Sequence, residues 1–294
     1  MRKAIIDLGT NTFNLLIADP SSSELNTLHV EKEAVMLGMG GINEGILTLD
    51  AINRAFNSLK RFKARCSLFS VEKIIAIGTS ALRSAKNAKV LLERVKKELG
   101  IDIQIIDGDQ EARFIYQGTK WGYDFSKSSV IMDIGGGSTE YIIANRKGIE
   151  RLTSLDIGVS RVFQSLGKPK EFDANSQLKV ISFLKKNESN FFLKAEVDIL
   201  VGASGSFETF YEMIYQKRFD SVRAEELELS TFIEVLEWTI NSTLEERLKN
   251  DWIVPMRKEM LPIAALKVRW TMEKLGIKKV YVSPFSLKEG VLME

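Results

Sequence analysis

Residues 4–19 read Ala-Ile-Ile-Asp-Leu-Gly-Thr-Asn-Thr-Phe-Asn-Leu-Leu-Ile-Ala-Asp, and residues 130–145 read Val-Ile-Met-Asp-Ile-Gly-Gly-Gly-Ser-Thr-Glu-Tyr-Ile-Ile-Ala-Asn. Asp7 and Asp133 hold the same place in the two stretches, 126 residues apart, as do Gly9 and Gly135. Each stretch has an apolar segment, a turn of small residues and a second apolar segment, which is typical of a β-hairpin. A repeat of this length predicts two related domains that face one another.

Helical and strand patterns alternate outside the two hairpins. In the first half, apolar spacing predicts helices from about residue 50, over 88–99 and over 111–118, and strands at 73–77 and 101–106. In the second half it predicts helices over 175–193, 206–218 and about 225–276, strands at 197–201 and 280–282, and a short final helix. The alternation predicts an α/β fold with a domain boundary near residue 120 and a helix-rich second domain.

The composition indicates an ordinary cytoplasmic protein. Lys and Arg number 41 and Asp and Glu 39, a net charge of +2 that argues against a nucleic-acid partner. The single cysteine, Cys66, cannot form an internal disulfide, which suits a reducing compartment. Neither a signal peptide nor an apolar stretch of membrane-spanning length is visible, so we expect no membrane partner.

The chain has one histidine, His29, within Leu25–Val30, a segment that predicts a hairpin strand. A multi-histidine metal site is therefore excluded. The favoured interpretation of His29 is a surface or edge-strand residue, because its ordinary pKa alone does not make it catalytic. Any acid–base and metal chemistry must come mainly from carboxylates.

Two loops of small residues are candidate phosphate sites. A tight turn between strands presents successive backbone N–H groups, hydroxyl groups add donors, and glycine lets a ligand approach the backbone. One such turn is more often a plain hairpin loop, but two at matching positions favour phosphate binding. The candidate residues are Gly9, Thr10, Asn11 and Thr12 in the first loop and Gly135, Gly136, Gly137 and Ser138 in the second.

A third loop, Gly202-Ala203-Ser204-Gly205-Ser206, follows a predicted strand and opens a helix. Its first N–H groups and the helix dipole could bind an anion near Gly202, Ser204 and Gly205. Equally, Ser204 or Ser206 could simply cap the helix. The residues leave both interpretations open.

Two aspartates, Asp7 and Asp133, lie inside otherwise apolar strands. A buried carboxylate there is costly unless it is paired or bound to a metal. Magnesium prefers a few carboxylates together with water and substrate phosphate, which suits Asp7, Asp133 and Glu140. The alternative is that an aspartate caps its own turn.

Two further strand ends carry charged residues. Asp109, Gln110 and Glu111 crowd the first turn of a predicted helix, where acidic side chains alone would stabilise the helix. Arg83, in Gly78-Thr79-Ser80-Ala81-Leu82-Arg83, offers a guanidinium that can bind phosphate in a bidentate manner. Taken alone, such an arginine is more often a salt-bridge partner.

Together these segments resemble the exopolyphosphatase/guanosine pentaphosphate phosphohydrolase (Ppx/GppA) family, within the actin-like and sugar-kinase superfamily. The resemblance covers nearly the whole chain and is to the short two-domain form. It is carried by residues 6–12, 78–83, 108–113 and 133–140, with weaker matches at 158–161, 202–205 and 287–291. It implies two ribonuclease-H-like (actin-like ATPase) domains, residues 1–120 and 121–294, with an interdomain cleft and a last helix that packs back on the first domain.

The resemblance also implies roles for the matching residues. Glu111 would be the general base that activates water, Arg83 would neutralise the transferred phosphate, and the two hairpin loops would hold the terminal phosphates. Asp133, Glu140 and Asp7 would bind magnesium or manganese, and potassium is a further expected cation. The expected substrate is polyphosphate or guanosine pentaphosphate, and the expected assembly is a homodimer.

Four residues depart from the family pattern: Gln110 for an acidic residue, Asp107 for Ser, Ile263 for Gly and Lys288 for Arg. They leave Glu111 in place and bear on substrate detail. Two other functions stay open at this point. One is a kinase or ATPase of the same superfamily, and the other is a module that binds an anionic ligand without turnover.

Overall fold

The computed structural model describes residues 1–19, 26–169 and 171–294. They form two compact units, which are described separately. Unit 1 contains Met1–Gly118 and Leu287–Glu294, and unit 2 contains Thr119–Ser286. Each unit is built on one mixed β-sheet with helices, so the predicted α/β class is confirmed.

Unit 1 begins with three antiparallel strands, β1 (Lys3–Leu8), β2 (Thr12–Asp19) and β3 (Asn26–Ala34), and adds parallel strands β4 (Lys73–Gly78) and β5 (Ile103–Ile105). The order β3-β2-β1-β4-β5 is that of the predicted ribonuclease-H-like fold. The helices are α1 (Leu49–Leu68), α2 (Ser80–Ser84), α3 (Ala88–Leu99), α4 (Gly108–Thr119) and the C-terminal α11 (Leu287–Leu292). Helix α11 contacts β1 and β2.

Unit 2 contains the strands β6 (Ser129–Ile134), β7 (Thr139–Asn145), β8 (Gly148–Leu155), β9 (Ile199–Gly202), β10 (Glu225–Leu227) and β11 (Lys279–Val282), in the order β10-β11-β9-β6-β7-β8. Its helices are α5 (Val159–Ser165), α6 (Ala174–Lys186), α7 (Gly205–Tyr215), α8 (Leu229–Asn241), α9 (Leu244–Lys249) and α10 (Leu261–Leu275). Short 3₁₀ turns lie at Asn190–Phe192 and Pro255–Arg257.

The sequence repeat corresponds to a structural repeat. In unit 1 the first three strands form an antiparallel meander and β1 then pairs in parallel with β4. In unit 2, β6, β7 and β8 form the same meander and β6 pairs in parallel with β9. Residues Ala4, Ile5 and Ile6 of β1 are fully buried, as are Val130, Ile131 and Met132 of β6, which is typical of a strand covered on both faces.

The structure differs from the predicted elements in several places: α2 and α5 were not predicted, and the stretch predicted as helical over about 225–276 contains the three helices α8, α9 and α10. Residues 225–227 form the edge strand β10 rather than the start of a helix, because they pair with β11 more than 50 residues away. The helix predicted over 175–193 ends at Lys186 and is followed by a separate 3₁₀ turn. Strand β8 was not predicted, since its residues alternate only weakly in polarity. A local pattern does not register pairing as distant as that of β10 with β11.

His29 lies on the edge strand β3, as predicted, and Leu25 of the same predicted strand lies outside the described residues. No helix in the described ranges is long and apolar enough to cross a membrane.

Candidate functional site

The first hairpin loop is held by a segment that follows β3. The backbone N–H of Gly38 donates to the carbonyl oxygen of Thr10 at 3.0 Å, and the N–H groups of Val35 and Met36 donate to that of Asn11 at 3.0 and 2.8 Å. In a trans peptide the N–H that follows a carbonyl points to the opposite side. The amides of Asn11 and Thr12 are therefore directed away from the segment that holds the loop.

The second hairpin loop is held in the same way by the segment after β8. The carbonyl oxygens of Gly135, Gly136 and Gly137 accept hydrogen bonds from the backbone N–H groups of Val159, Ser160 and Gly158 at 3.0, 2.8 and 3.2 Å. In the part of the chain that the structure describes, the backbone N–H groups of Gly136 and Gly137 donate to no backbone carbonyl. The loop carbonyls point to the side of the loop where the segment after β8 lies, so the successive backbone N–H groups point to the opposite side. This is the geometry of an anion-binding nest.

Gly158 is required by this close backbone packing. A Cβ atom added at Gly158 would lie 2.4 Å from backbone atoms of both Gly136 and Gly137. A Cβ at Gly38, the equivalent contact in unit 1, would instead meet the Thr10 side chain at 2.5 Å. The backbone of the second loop thus packs directly against the backbone of Gly158. No flexible side chain lies between them that could move aside for a larger residue at position 158.

Asp7 lies at the end of β1 and faces Asn14 across the hairpin. The side-chain amide of Asn14 donates to Oδ2 of Asp7 at 2.8 Å, whereas the buried Oδ1 has no hydrogen-bond partner among the described residues. Burial raises the pKa of Asp7 to about 6, against the opposing effects of the Asn14 hydrogen bond and of Lys288. The interpretation of Asp7 as a cap of its own turn is wrong, because its observed bond is to the facing strand. An unpartnered buried oxygen suits a cation or a water ligand.

Asp133 and Glu140 hold the equivalent positions in unit 2 and face one another directly in the β6–β7 register. Ser286 Oγ donates to Asp133 Oδ2 at 2.5 Å, and Ser154 Oγ donates to Glu140 Oε1 at 2.6 Å. Glu140 is 1% exposed. Two carboxylates beside a candidate phosphate loop fit magnesium, which is usually bound through one or two carboxylates, waters and substrate phosphates. Among the described residues no group of three or more His, Cys, Asp or Glu forms a metal cluster, so Asp7 as a third ligand stays a prediction.

Lys267 is a site residue that the sequence interpretation missed. It projects from α10, is fully buried, and its Nζ donates to Thr139 Oγ1 and to the carbonyl oxygen of Ile157, the latter at 2.7 Å. Burial lowers the pKa of Lys267 to about 7, while the charges of Glu140 and Asp133 act in the opposite direction. A lysine inside the apolar run of residues 261–268 was the available signal.

The two charged residues predicted separately in unit 1 are in contact. Arg83 Nη1 donates to Glu111 Oε2 at 2.9 Å and to the carbonyl oxygen of Ile106 at 3.0 Å. Glu111 lies in the first turn of α4 and is 7% exposed. The helix itself is capped by Asp107, whose Oδ1 accepts from the Gln110 N–H at 2.8 Å. Asp107 therefore does the capping, and Glu111 is held by an ion pair.

The third loop connects β9 to α7 and contains an arginine contact that the sequence did not reveal. Ser204 occupies the N-cap position, but its side chain makes no capping hydrogen bond and its Oγ has no partner. The guanidinium of Arg257 packs so closely that a Cβ at Gly205 would lie 1.8 Å from Nη2. Arg257 Nη1 also donates to Thr209 Oγ1 at 2.8 Å. A side chain at position 205 would therefore displace the Arg257 guanidinium. Anion binding at Gly202, Ser204 and Gly205 stays a prediction.

Known proteins resemble this chain in both sequence and fold. The sequence model of the Ppx/GppA phosphatase family matches residues 16–294. A guanosine-5'-triphosphate,3'-diphosphate pyrophosphatase from Photobacterium profundum is 28% identical over 99% of this chain, and the chain spans 58% of that relative's length. A crystal structure of an exopolyphosphatase from Cytophaga hutchinsonii is 34% identical with a TM-score of 0.95, covering 100% of this chain and 97% of that one. A Ppx/GppA family member from Aquifex aeolicus is 28% identical with a TM-score of 0.82, covering 99% and 96%.

Proposed function

The chain belongs to the Ppx/GppA phosphatase family, and on that basis we propose that it releases the terminal phosphate from inorganic polyphosphate or from guanosine pentaphosphate. The observation that carries the proposal is the loop Gly135–Ser138, whose carbonyls are bound on one side so that successive amides are directed to the other. The acidic pair Asp133 and Glu140 lies next to it. Both proposed substrates end in phosphoanhydride-linked phosphates, which an amide nest and a divalent cation recognise without regard to the rest of the molecule.

In the proposed reaction the loop amides and the hydroxyls of Thr10 and Ser138 hold phosphate oxygens. Asp133 and Glu140 would hold magnesium or manganese, which would neutralise charge on those oxygens when bound. Glu111 accepts a proton from the water whose oxygen bonds to the terminal phosphorus, while the phosphoanhydride P–O bond to the rest of the substrate breaks and its oxygen leaves with the shortened chain. Phosphoryl transfer depends mainly on positioning and electrostatic stabilisation, so a correctly held phosphate is the larger part of catalysis.

Arg83 has two proposed functions. It fixes the orientation of the Glu111 carboxylate through the 2.9 Å contact to Oε2, and its guanidinium places a positive charge beside the proposed base. A charge-assisted hydrogen bond of this kind is short and directional. The ion pair thus holds Glu111 in position before substrate arrives. Cytoplasmic location, a potassium site and a homodimer stay predictions.

The test is phosphate release from long polyphosphate, short polyphosphate, guanosine pentaphosphate and ATP, each with magnesium and with a chelator. We expect metal-dependent release from polyphosphate or guanosine pentaphosphate and little from ATP. Turnover of ATP alone, or phosphorylation of an added sugar, would instead favour a kinase or ATPase. Tight polyphosphate binding without release would indicate a binding module.

The base is tested by Glu111→Gln, which keeps the size of the side chain and removes the proton acceptor. General-base catalysis contributes about 10²–10⁴-fold, so the variant should lose that factor in kcat with KM little changed. The matched control is Glu93→Gln, the same substitution at an exposed ion pair with Lys89 on α3. Near-normal kcat in Glu111→Gln would rule out this residue as the base.

A further inference from the structure

Lys267 makes two hydrogen bonds that join separate parts of the second phosphate loop. Thr139 is the first residue of β7, directly after the loop, and Ile157 directly precedes the segment that binds the loop carbonyls. The ammonium of Lys267 donates to both, to Oγ1 of Thr139 and to the carbonyl oxygen of Ile157. One buried side chain from α10 therefore holds the loop and the segment that binds it together.

The repeat shows why unit 2 needs a cation here. At the positions equivalent to Thr139 and Glu140, 126 residues earlier, unit 1 has Phe13 and Asn14. Asp7 thus faces a neutral amide that donates to it, whereas Asp133 faces a second carboxylate. Like charges directly opposite one another in a sheet are destabilising. Lys267 interacts electrostatically with both carboxylates and is the fully buried lysine of this site.

We infer that Lys267 is a positioning residue of the second loop, which holds Thr139 and Ile157 together and balances the charge of Asp133 and Glu140 when no metal is bound. Two consequences of opposite sign follow from its positive charge. The ammonium favours binding of an anion at the loop, and it opposes binding of a divalent cation by the two carboxylates. The inference rests on the proposed function in taking the two carboxylates as metal ligands and the second loop as a phosphate site.

The test measures Mn²⁺ binding to the free protein by the loss of the electron paramagnetic resonance signal of free Mn²⁺, without substrate or turnover. Lys267→Met is compared with the natural protein at mildly acidic pH, where Lys267 carries its proton. We expect Mn²⁺ to bind about tenfold more tightly to the variant, and pyrophosphate in the absence of metal to bind about tenfold more weakly. A side chain with only a structural role would weaken both.

The matched control is Tyr141→Phe. The hydroxyls of Tyr141 and Thr271 form a buried hydrogen bond of 2.9 Å between the same strand and the same helix, two residues along β7 and one turn along α10. Losing it removes a buried β7–α10 contact of the same kind without changing charge. Both affinities should remain those of the natural protein. Mn²⁺ affinity that is unchanged or lower in Lys267→Met, or no Mn²⁺ binding in either protein, overturns the inference.

If Lys267→Met folds poorly, the double variant Glu140→Gln/Lys267→Met shows whether the cause is the lost charge. It removes one negative and one positive charge together. If Lys267 balances the carboxylates, the double variant should melt at a higher temperature than Lys267→Met alone. If it melts no higher, the charge-balancing role is excluded. These measurements involve no hydrolysis, so a protein that releases no phosphate from any substrate would defeat the proposed function and leave this result standing.

Discussion

The two candidate phosphate loops come from the same sequence pattern and are held by similar backbone hydrogen bonds, but the residues around them differ. In unit 1 the strand-end Asp7 faces the neutral Asn14, and the loop accepts a backbone hydrogen bond from Gly38, where an added Cβ atom would first meet the side chain of Thr10. In unit 2, Asp133 faces Glu140, and the loop rests on Gly158 through its own backbone. Unit 2 thus combines the tighter loop with the greater negative charge. On this basis we expect unit 2 to carry more of the proposed metal and phosphate binding, whereas the Glu111–Arg83 ion pair lies in unit 1.

The largest expected effect is at the backbone contact of unit 2. Gly158→Ala places a methyl group within 2.4 Å of the Gly136 and Gly137 backbone, so the loop must move. Overpacking of this kind costs about 1–3 kcal/mol of folding free energy. Because the displaced group is the proposed phosphate site, we expect about a 10²-fold loss of kcat/KM for phosphate release. Steady-state kinetics and urea unfolding measure the two effects.

An unchanged kcat/KM in Gly158→Ala would show that the Gly135–Ser138 loop does not hold substrate. If Gly158→Ala does not fold at all, circular dichroism shows this before kinetics are measured.

The second largest effect is expected for Asp7→Asn, which should stabilise the folded protein, whereas Gly158→Ala destabilises it. Burial raises its pKa from 3.8 to about 6, so the folded state binds this proton more tightly than the unfolded state does. Ionisation of Asp7 therefore costs stability as pH rises from about 4 through about 6. Asp7→Asn removes that cost, and two pKa units correspond to at most about 3 kcal/mol. The variant should be more stable than the natural protein above pH 6 and equal to it below pH 4, although it loses phosphate release.

Urea unfolding over this pH range, with a chelator present, measures the difference for Asp7→Asn. A variant that is less stable than the natural protein at neutral pH would contradict the prediction and show that the Asp7 charge is compensated in the folded state.

The smallest effect is expected at the loop contact of unit 1. In Gly38→Ala the new methyl meets the Thr10 Cγ2 atom at 2.5 Å and Ile42 Cδ1 at 3.1 Å, which are ends of side chains that can rotate. We expect a loss of about 1 kcal/mol and less than about a tenfold change in kcat/KM. The measurements are those used for Gly158→Ala. If Gly38→Ala and Gly158→Ala lost activity equally, it would not matter for activity whether the added methyl group meets a side chain or the loop backbone.

Local features of the site were accessible from the sequence. Glycine and hydroxyl residues in a turn between two apolar strands predict a loop that can approach an anion, and the constant spacing of 126 residues shows that the chain contains two such loops. The acidic residues are visible for the same reason, since a carboxylate inside an apolar strand stands out from its neighbours. All these signals lie within a few residues of one another.

The contacts that assemble the site were not accessible in this way. Arg83 and Glu111 are 28 residues apart, Lys267 and Thr139 are 128 apart, and Arg257 meets Thr209 across 48 residues. Each was unremarkable or ambiguous by itself: an arginine after a strand, a lysine in a helix, an arginine in a turn. Their functions depend on what they touch, and composition and periodicity do not specify a partner distant in the chain.

The sequence by itself determined the α/β class, the duplicated hairpin and the residues that could contact phosphate or metal, because these follow from local backbone preference and from the period of apolar residues. Tertiary structure alone decided that the loop carbonyls are bound on one side and that Glu111 is paired with Arg83. It also decided that a buried lysine adjoins the Asp133–Glu140 pair, whereas the Asn14 amide faces Asp7. The physical reason is that burial, which sets the cost of each charge, and hydrogen-bond geometry both arise from segments that meet only when the chain is folded.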